Sequence, residues 1–418
     1  MLILAAAVSS AAAAPAGINQ DESKVPPYQL PDPLLCADGT AVKTAADWAG
    51  KRRPETLALI EKEMFGQAPP RPALSFKVVE PATPALEGNV LRKQVAISLD
   101  GKPGGPFMDL LLYVPSQAKG PVPVVFGLNF NGNQGAHKDP GIRLCRSWLR
   151  DDKKAGIASN HATEASRGCE AGRWQIEYAA SRGYAVATIC YCDIDPDFDD
   201  HWKNGVHALY PEIEAARTGS TWGSIAAWAW GMRLGMDYLE KEPLVDAKRV
   251  ICQGHSRLGK TALWAGATDE RFAMVISNDS GAGGAALNKR IFGETVARLN
   301  TSFPHWFCGN FTKYSDKEED LPFDSHQIIS LIAPRPVLIT SATEDQWADP
   351  KGEFLGGLNA SPVYKLLGTS GMEAKEQPPA GTLSSGTIGY CLRSGAHDVT
   401  REDWTAYLDF ADKHLPRK

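Results

Sequence analysis

Residues 249–260 read Arg249-Val-Ile-Cys-Gln-Gly-His-Ser-Arg-Leu-Gly-Lys260. An apolar run, a tight Gly-x-Ser turn and the start of a helical stretch follow one another. A strand that turns sharply into a helix lifts the turn serine above a sheet and aims the helix N-terminus at it, the setting of a nucleophilic hydroxyl. Gly254, two residues before Ser256, gives such a turn the room it needs. The backbone N–H of Arg257, directly after the serine, is placed to stabilise a developing oxyanion, and one such donor is worth roughly 2.7–4 kcal/mol of barrier. The stretch departs from strict Gly-x-Ser-x-Gly, because Leu258 holds the second glycine position and Gly259 follows it.

Outward from this turn the texture is regular. Residues 122–130 form a continuous apolar run suited to a strand buried on both faces, and comparable runs recur at 185–191, 249–253, 273–277 and 337–341. Helical stretches at 174–182, 221–240, 260–267 and 325–332 lie between them, and 402–414 closes the chain. Upstream, 55–65 has the helical spacing of Leu57, Ile60, Met64 and Phe65, and strand-like runs at 74–79, 90–98 and 108–114 suggest an antiparallel meander. Antiparallel strands followed by a parallel set predict an α/β-hydrolase fold: a mostly parallel central sheet flanked by helices on both faces, with N-terminal antiparallel strands. The connections 131–173 and 192–219 are long for a compact domain. Loops of that length tend to be functional, and these would leave the strand ends where such sheets bind ligands.

A serine nucleophile needs a base in reach and a group that orients the base. In this fold the chain order is serine, acid, histidine. Four histidines follow Ser256: His305, His326, His397 and His414. His397 lies in Arg393-Ser-Gly-Ala-His-Asp-Val399, after an apolar run and before the last helix, where the base belongs. His305 could line the pocket, and His414 reads as a surface residue. Two acids compete for the third place. Asp345 follows the apolar run 337–341 and is the first choice, and Asp279 ends the run before it. Glu344 is the bland alternative.

Composition sets outer bounds. The chain has 418 residues, 43% hydrophobic and 22% charged, with a formal net charge of -5. That charge leaves no basic footprint for nucleic acid, and no run approaches the apolar length of a membrane span. Residues 1–16 end in small residues after a short apolar run and read as the remnant of a secretory signal, which implies a secreted or periplasmic protein. Residues 17–418 then form one catalytic domain, expected to be a monomer. The eight cysteines include no paired Cys-x-x-Cys knots, so structural zinc is not expected, and their pairing stays open. Cys252, on a presumed core strand, reads as a buried thiol. The run Asp193-Ile-Asp-Pro-Asp-Phe-Asp-Asp200 superficially suggests a calcium loop, but Phe198 and Asn204 stand where such a loop needs Gly and Glu. It reads as a loop of Asx turns, and neither metal nor cofactor is expected.

Taken jointly, Gly254-His-Ser-Arg-Leu-Gly-Lys260, Asn278-Asp-Ser-Gly-Ala-Gly-Gly-Ala-Ala-Leu287, Gly293-Glu-Thr295, Phe303-Pro-His-Trp-Phe307 and Glu344-Asp-Gln-Trp-Ala-Asp-Pro350 resemble the glucuronoyl esterases, carbohydrate esterase family fifteen, in its bacterial form. The resemblance implies cleavage of esters between lignin alcohols and the 4-O-methyl-glucuronic acid branches of glucuronoxylan. It implies that Ser256 attacks, His397 is the base, and the Arg257 guanidinium adds positive charge at the oxyanion. It further implies that Lys260 and Glu294 bond sugar hydroxyls and that Trp347 covers the sugar ring, with Trp306 as a further substrate contact. Without the resemblance, Lys260 would read as a solvated helix residue, Glu294 as a partner of Arg290, and both tryptophans as core. The fungal members carry a Cys beside the serine tied to a Cys beside the base. Here His255 and Asp398 hold those places, and Asp279 stands where fungal members have Glu.

Overall fold

The computed structural model describes residues 17–416, so the expected leader at 1–16 lies outside the described residues. Ten strands build one sheet: β1 (Phe76–Ala85), β2 (Val90–Ser98), β3 (Phe107–Pro115), β4 (Val122–Asn129), β5 (Ala185–Cys190), β6 (Val245–His255), β7 (Met274–Asn278), β8 (Val337–Ala342), β9 (Leu383–Ser385) and β10 (Ile388–Arg393). Their order across the sheet is β1-β2-β3-β5-β4-β6-β7-β8-β10-β9. β1, β2 and β3 pair antiparallel, and β3 joins β5 antiparallel. From β5 to β10 every neighbour runs parallel. The mixed sheet of an α/β-hydrolase is therefore present. β1 runs further than its apolar residues suggest, through Pro81 and Pro84 and two register shifts, which an edge strand tolerates because one side needs no hydrogen bonds.

The alternation within each central strand fills two cores. Val250 and Cys252 of β6 point to one side and Ile251 to the other; Val275 of β7 and Ile339 of β8 join the first group, Ile276 and Leu338 the second. The first side is covered by α1 (Arg53–Ile60), α2 (Ser224–Leu239), α3 (Arg257–Thr268) and α4 (Pro350–Leu366), the second by α5 (Arg401–His414) with the segment around Ile176. Cys252 is a fully buried thiol, as its place on a core strand requires. Among the described residues no helix is long and apolar enough to cross a membrane. β5 lies on one side of β4 and β6 on the other, so the chain reverses its direction of travel across the sheet at β4. Ligands bind beyond the strand ends at such reversals, and the long connections 131–173 and 192–219 leave β4 and β5 at that place.

Candidate functional site

The turn between β6 and α3 carries Ser256 at φ 57, ψ -129, a strained conformation for a residue with a side chain. Neighbouring positions explain why the chain can take it. A Cβ on Gly254 would lie 1.9 Å from the Leu258 carbonyl oxygen, so only glycine fits. A Cβ on Gly259 would stand 2.9 Å from Ser280 Cβ and 3.2 Å from the Asn278 oxygen, so the close approach of helix to sheet falls at Gly259. Leu258 is free to be a core residue and is buried. The Ser256 N–H donates to the Asn278 oxygen at 2.9 Å, which pins the turn to β7. Arg257 opens α3, so its N–H has no intrahelical acceptor and lies at the positive end of the helix dipole.

His397 sits in the loop between β10 and α5, and its Nδ1 lies 2.6 Å from Asp345 Oδ2. A carboxylate partner makes Nδ1 the donor and leaves Nε2 as the basic nitrogen. The His397 ring packs against His255, with centroids 4.4 Å apart. His255 donates from Nδ1 to Asn278 Oδ1 at 2.5 Å, and burial, with His397 nearby, keeps it neutral. Ser256 and His397 line the same cleft without a direct hydrogen bond between hydroxyl and ring. In unliganded sites such bonds close when substrate arrives. Of the two acids, Asp345 is the one hydrogen-bonded to His397. Asp279 is close, with a carboxylate oxygen within 4.8 Å of both Asp345 and His397, but its Oδ2 accepts from Arg393 at 3.4 Å and its Oδ1 has no partner. Burial, and then the charges of Glu353 and Asp345, raise its carboxyl well above the usual range.

Arg257 is held from beneath by a residue the sequence reading did not single out. Its Nη1 donates to Asp197 Oδ2 at 3.0 Å. The same carboxylate accepts from His305 Nε2 at 2.9 Å, Trp306 Nε1 at 2.8 Å and the Tyr191 hydroxyl at 3.0 Å. Burial pushes Asp197 up, but His305, Arg257 and Trp306 outweigh it and hold the carboxyl at about 2. The Asp193–Asp200 run is thus only in part a loop of Asx turns. Asp199 and Asp200 cap backbone N–H groups, whereas Asp193, Asp195 and Asp197 face inward, Asp195 beside His207 and Asp193 accepting from Ser147 and the Asp109 N–H. His305 is a support of the arginine rather than a wall of the pocket.

On the other side of Ser256 a cavity of about 380 Å³ is lined by Lys260, Glu294, Arg298, Phe303, Trp306 and Trp347, among others. Lys260 is not a solvated helix residue. It is buried, and its Nζ donates to the Ser280 oxygen at 2.8 Å and Glu294 Oε2 at 3.1 Å. Nor does Glu294 pair with Arg290, which bonds Asp349 at 2.8 Å and Glu22 instead. Trp347 is half-buried at the cavity edge with Arg298 over its ring. Trp306 is buried, stacked on Phe303 at 3.7 Å, and its N–H is committed to Asp197, so it offers the cavity a ring and no donor. A second cleft, of about 420 Å³, opens toward Phe130, Arg150 and Arg173. Ser256, Arg257, Phe303 and His397 border both.

Such a site can carry out acyl transfer: a strained hydroxyl, an imidazole oriented by a carboxylate, an N–H and a guanidinium where negative charge would develop, and a buried ammonium–carboxylate pair in the adjoining wall. A family model described as fungal glucuronyl esterase matches residues 179–368. The solved structure of a promiscuous CE15 esterase from a marine bacterial metagenome is 54% identical, with a TM-score of 0.89 over 95% of this chain and 100% of that one. That of the glucuronoyl esterase from Solibacter usitatus is 47% identical, with a TM-score of 0.89 over 94% of this chain and 99% of that one. A 4-O-methyl-glucuronoyl methylesterase of Wolfiporia cocos is 27% identical over 365 residues, 83% of this chain and 74% of its own length.

Proposed function

The chain belongs to the glucuronoyl esterases of carbohydrate esterase family 15, and from that premise we propose that it hydrolyses esters of 4-O-methyl-glucuronic acid in glucuronoxylan, including those to lignin alcohols, through an acyl-enzyme on Ser256. Ser256 Oγ attacks the ester carbonyl carbon as His397 Nε2 takes its proton. The tetrahedral oxyanion lies against the Arg257 N–H and guanidinium. As the carbon–oxygen bond to the alcohol breaks, His397 gives its proton to the departing oxygen. Water then adds to the acyl-enzyme with His397 again as base, releasing the uronic acid and restoring Ser256. Asp345 holds the imidazole in the reactive tautomer and stabilises its charged form. Lys260, Glu294 and Trp347 receive the sugar, because a buried ion pair beside a half-buried indole offers donors, acceptors and an apolar face to one pyranose ring.

The observation that carries the reading is the 2.6 Å bond from His397 to Asp345 at the rim of a cavity whose far wall holds the Lys260–Glu294 pair. A wall polymer is met outside the cell, which supports reading residues 1–16 as an export leader; one catalytic domain over 17–418, working as a monomer, completes the proposal. The test is hydrolysis of a methyl or benzyl ester of glucuronic acid by the wild type and by Ser256→Ala. The variant is expected to lose roughly 10⁴-fold or more in kcat. Equal rates would overturn the mechanism.

A further inference from the structure

Glu294 and Trp347, the residues read as sugar contacts, stand on two separate loops, 288–294 and 343–349. The loops meet directly: the Glu294 N–H donates to the Trp347 oxygen at 2.9 Å, and a Cβ on Gly293 would lie 2.4 Å from that same oxygen. Both contain strained backbone. Ile291 takes φ 49, ψ 51, a left-handed conformation unfavourable to a β-branched residue, and Asp349 takes φ 53 at the start of α4. Such conformations persist only where the surroundings hold them.

The strap of residues 19–22 supplies that hold. Asn19 grips the first loop on either side of Phe292: its backbone oxygen accepts the Gly293 N–H at 2.7 Å, and its side-chain amide donates to the Ile291 oxygen at 3.4 Å. Glu22 spans both loops. One carboxylate oxygen accepts from Arg290 in the first, and the other accepts from Lys351 at 2.9 Å, in the turn of α4 that follows the second. Arg290 is buried and also bonds Asp349 at 2.8 Å, so one chain of charges runs from the strap through both loops to the helix. Neither Asn19 nor Glu22 lines the cavity. The end of the second loop that carries Asp345 is tied elsewhere, the Thr343 N–H to the Arg393 oxygen and the Glu344 N–H to the Gly395 oxygen, each at 2.9 Å. Resting on the esterase reading, we propose that Asn19 and Glu22 are positioning residues for the uronic acid. The strap fixes the spacing of Glu294 and Trp347, and so governs affinity for the sugar while leaving the chemistry at Ser256 alone.

The experiment measures kcat and KM separately on the methyl ester of glucuronic acid. Glu22 is exposed and Arg290 keeps Asp349, so Glu22→Gln leaves the fold intact. It is expected to raise KM by about threefold to tenfold while kcat stays within about twofold, the signature of binding lost equally from ground and transition states. Lys351→Met cuts the same link at the α4 end and moves KM the same way. Asp21→Asn is the control: Asp21 bonds Ser23 and Lys24 within the strap, and its loss is expected to leave both constants in place. An unchanged KM in Glu22→Gln, a kcat that falls while KM holds, or an equal rise in Asp21→Asn overturns the assignment while the esterase reading stands. A wild type that does not hydrolyse the ester overturns the esterase reading itself, before any variant is compared.

Discussion

Asp345 and Asp279 carry the same side chain, follow neighbouring strands and approach each other within 4.8 Å, yet they face different groups. Asp345 faces an imidazole. Asp279 faces other carboxyl groups and is bonded by Arg393 at 3.4 Å, and burial favours its neutral form. Asp345→Asn leaves His397 without its orienting anion, and kcat is expected to fall by about 10³–10⁴-fold. Asp279→Asn leaves the bond between His397 and Asp345 in place and is expected to cost less than about tenfold. Steady-state kinetics of the two variants on one glucuronate ester checks both. The sequence left this choice open because both acids stand after apolar runs, and nothing local says which one the loop of His397 will meet. The shared cleft of Ser256 and His397 was legible, since a tight turn and a late histidine are marked by their immediate neighbours. Asp197 was not. Its signal is an alternation in which Asp193, Asp195 and Asp197 are inward, and a run of aspartates with a proline reads first as a solvated loop.

The elements show the same division. The buried strands were found to within a few residues, because a continuous apolar run of that length has few other uses. α4 was missed altogether, although it has 17 residues. It contains Pro362 and the glycines Gly352, Gly356 and Gly357, residues that propensity counts against a helix. Packing supplies the reason for two of them. A Cβ on Gly356 would lie 2.0 Å from the Ala285 oxygen, and one on Gly357 would lie 2.9 Å from Ile339 Cδ1 in β8. The helix gives up local stability to lie directly on the loop and the sheet that carry Asp279 and Asp345. Gly356→Ala, which improves helix propensity, is therefore expected to destabilise the protein, by about 1–3 kcal/mol. Chemical denaturation of the variant measures it, and a gain in stability would show that α4 is not pressed against the loop at Ala285.

At the scale of the whole molecule, strand order could not be read, because it is set by pairing between segments far apart in the chain; the class of fold could, from the succession of textures. Charge buried throughout the structure also has a collective effect. Glu170, Asp193 and Asp195 are enclosed, and loss of water raises each carboxyl to about 6. Unfolded, they titrate near 4, so the folded state holds their protons over a higher range. The stability they contribute is whole below about pH 4 and is lost as pH rises through about 6. Asp197, held at about 2, acts in the opposite sense, and its contribution is lost only as pH falls below about 4. The melting temperature is expected to fall between about pH 4 and pH 7, and Asp193→Asn, with no proton to release, to flatten that fall in a thermal scan.

All eight cysteines are unpaired thiols. Where the fungal pattern ties the serine to the base through sulfur, this chain sets the His255 ring against His397 and the ion pair of Arg173 with Asp398 at 2.6 Å. A base kept in position by two packed, mutually tilted imidazoles and a salt link has no bond that dithiothreitol can open. Initial rates before and after incubation with that reagent are expected to agree, and the site can work in reducing surroundings as well as in aerated ones.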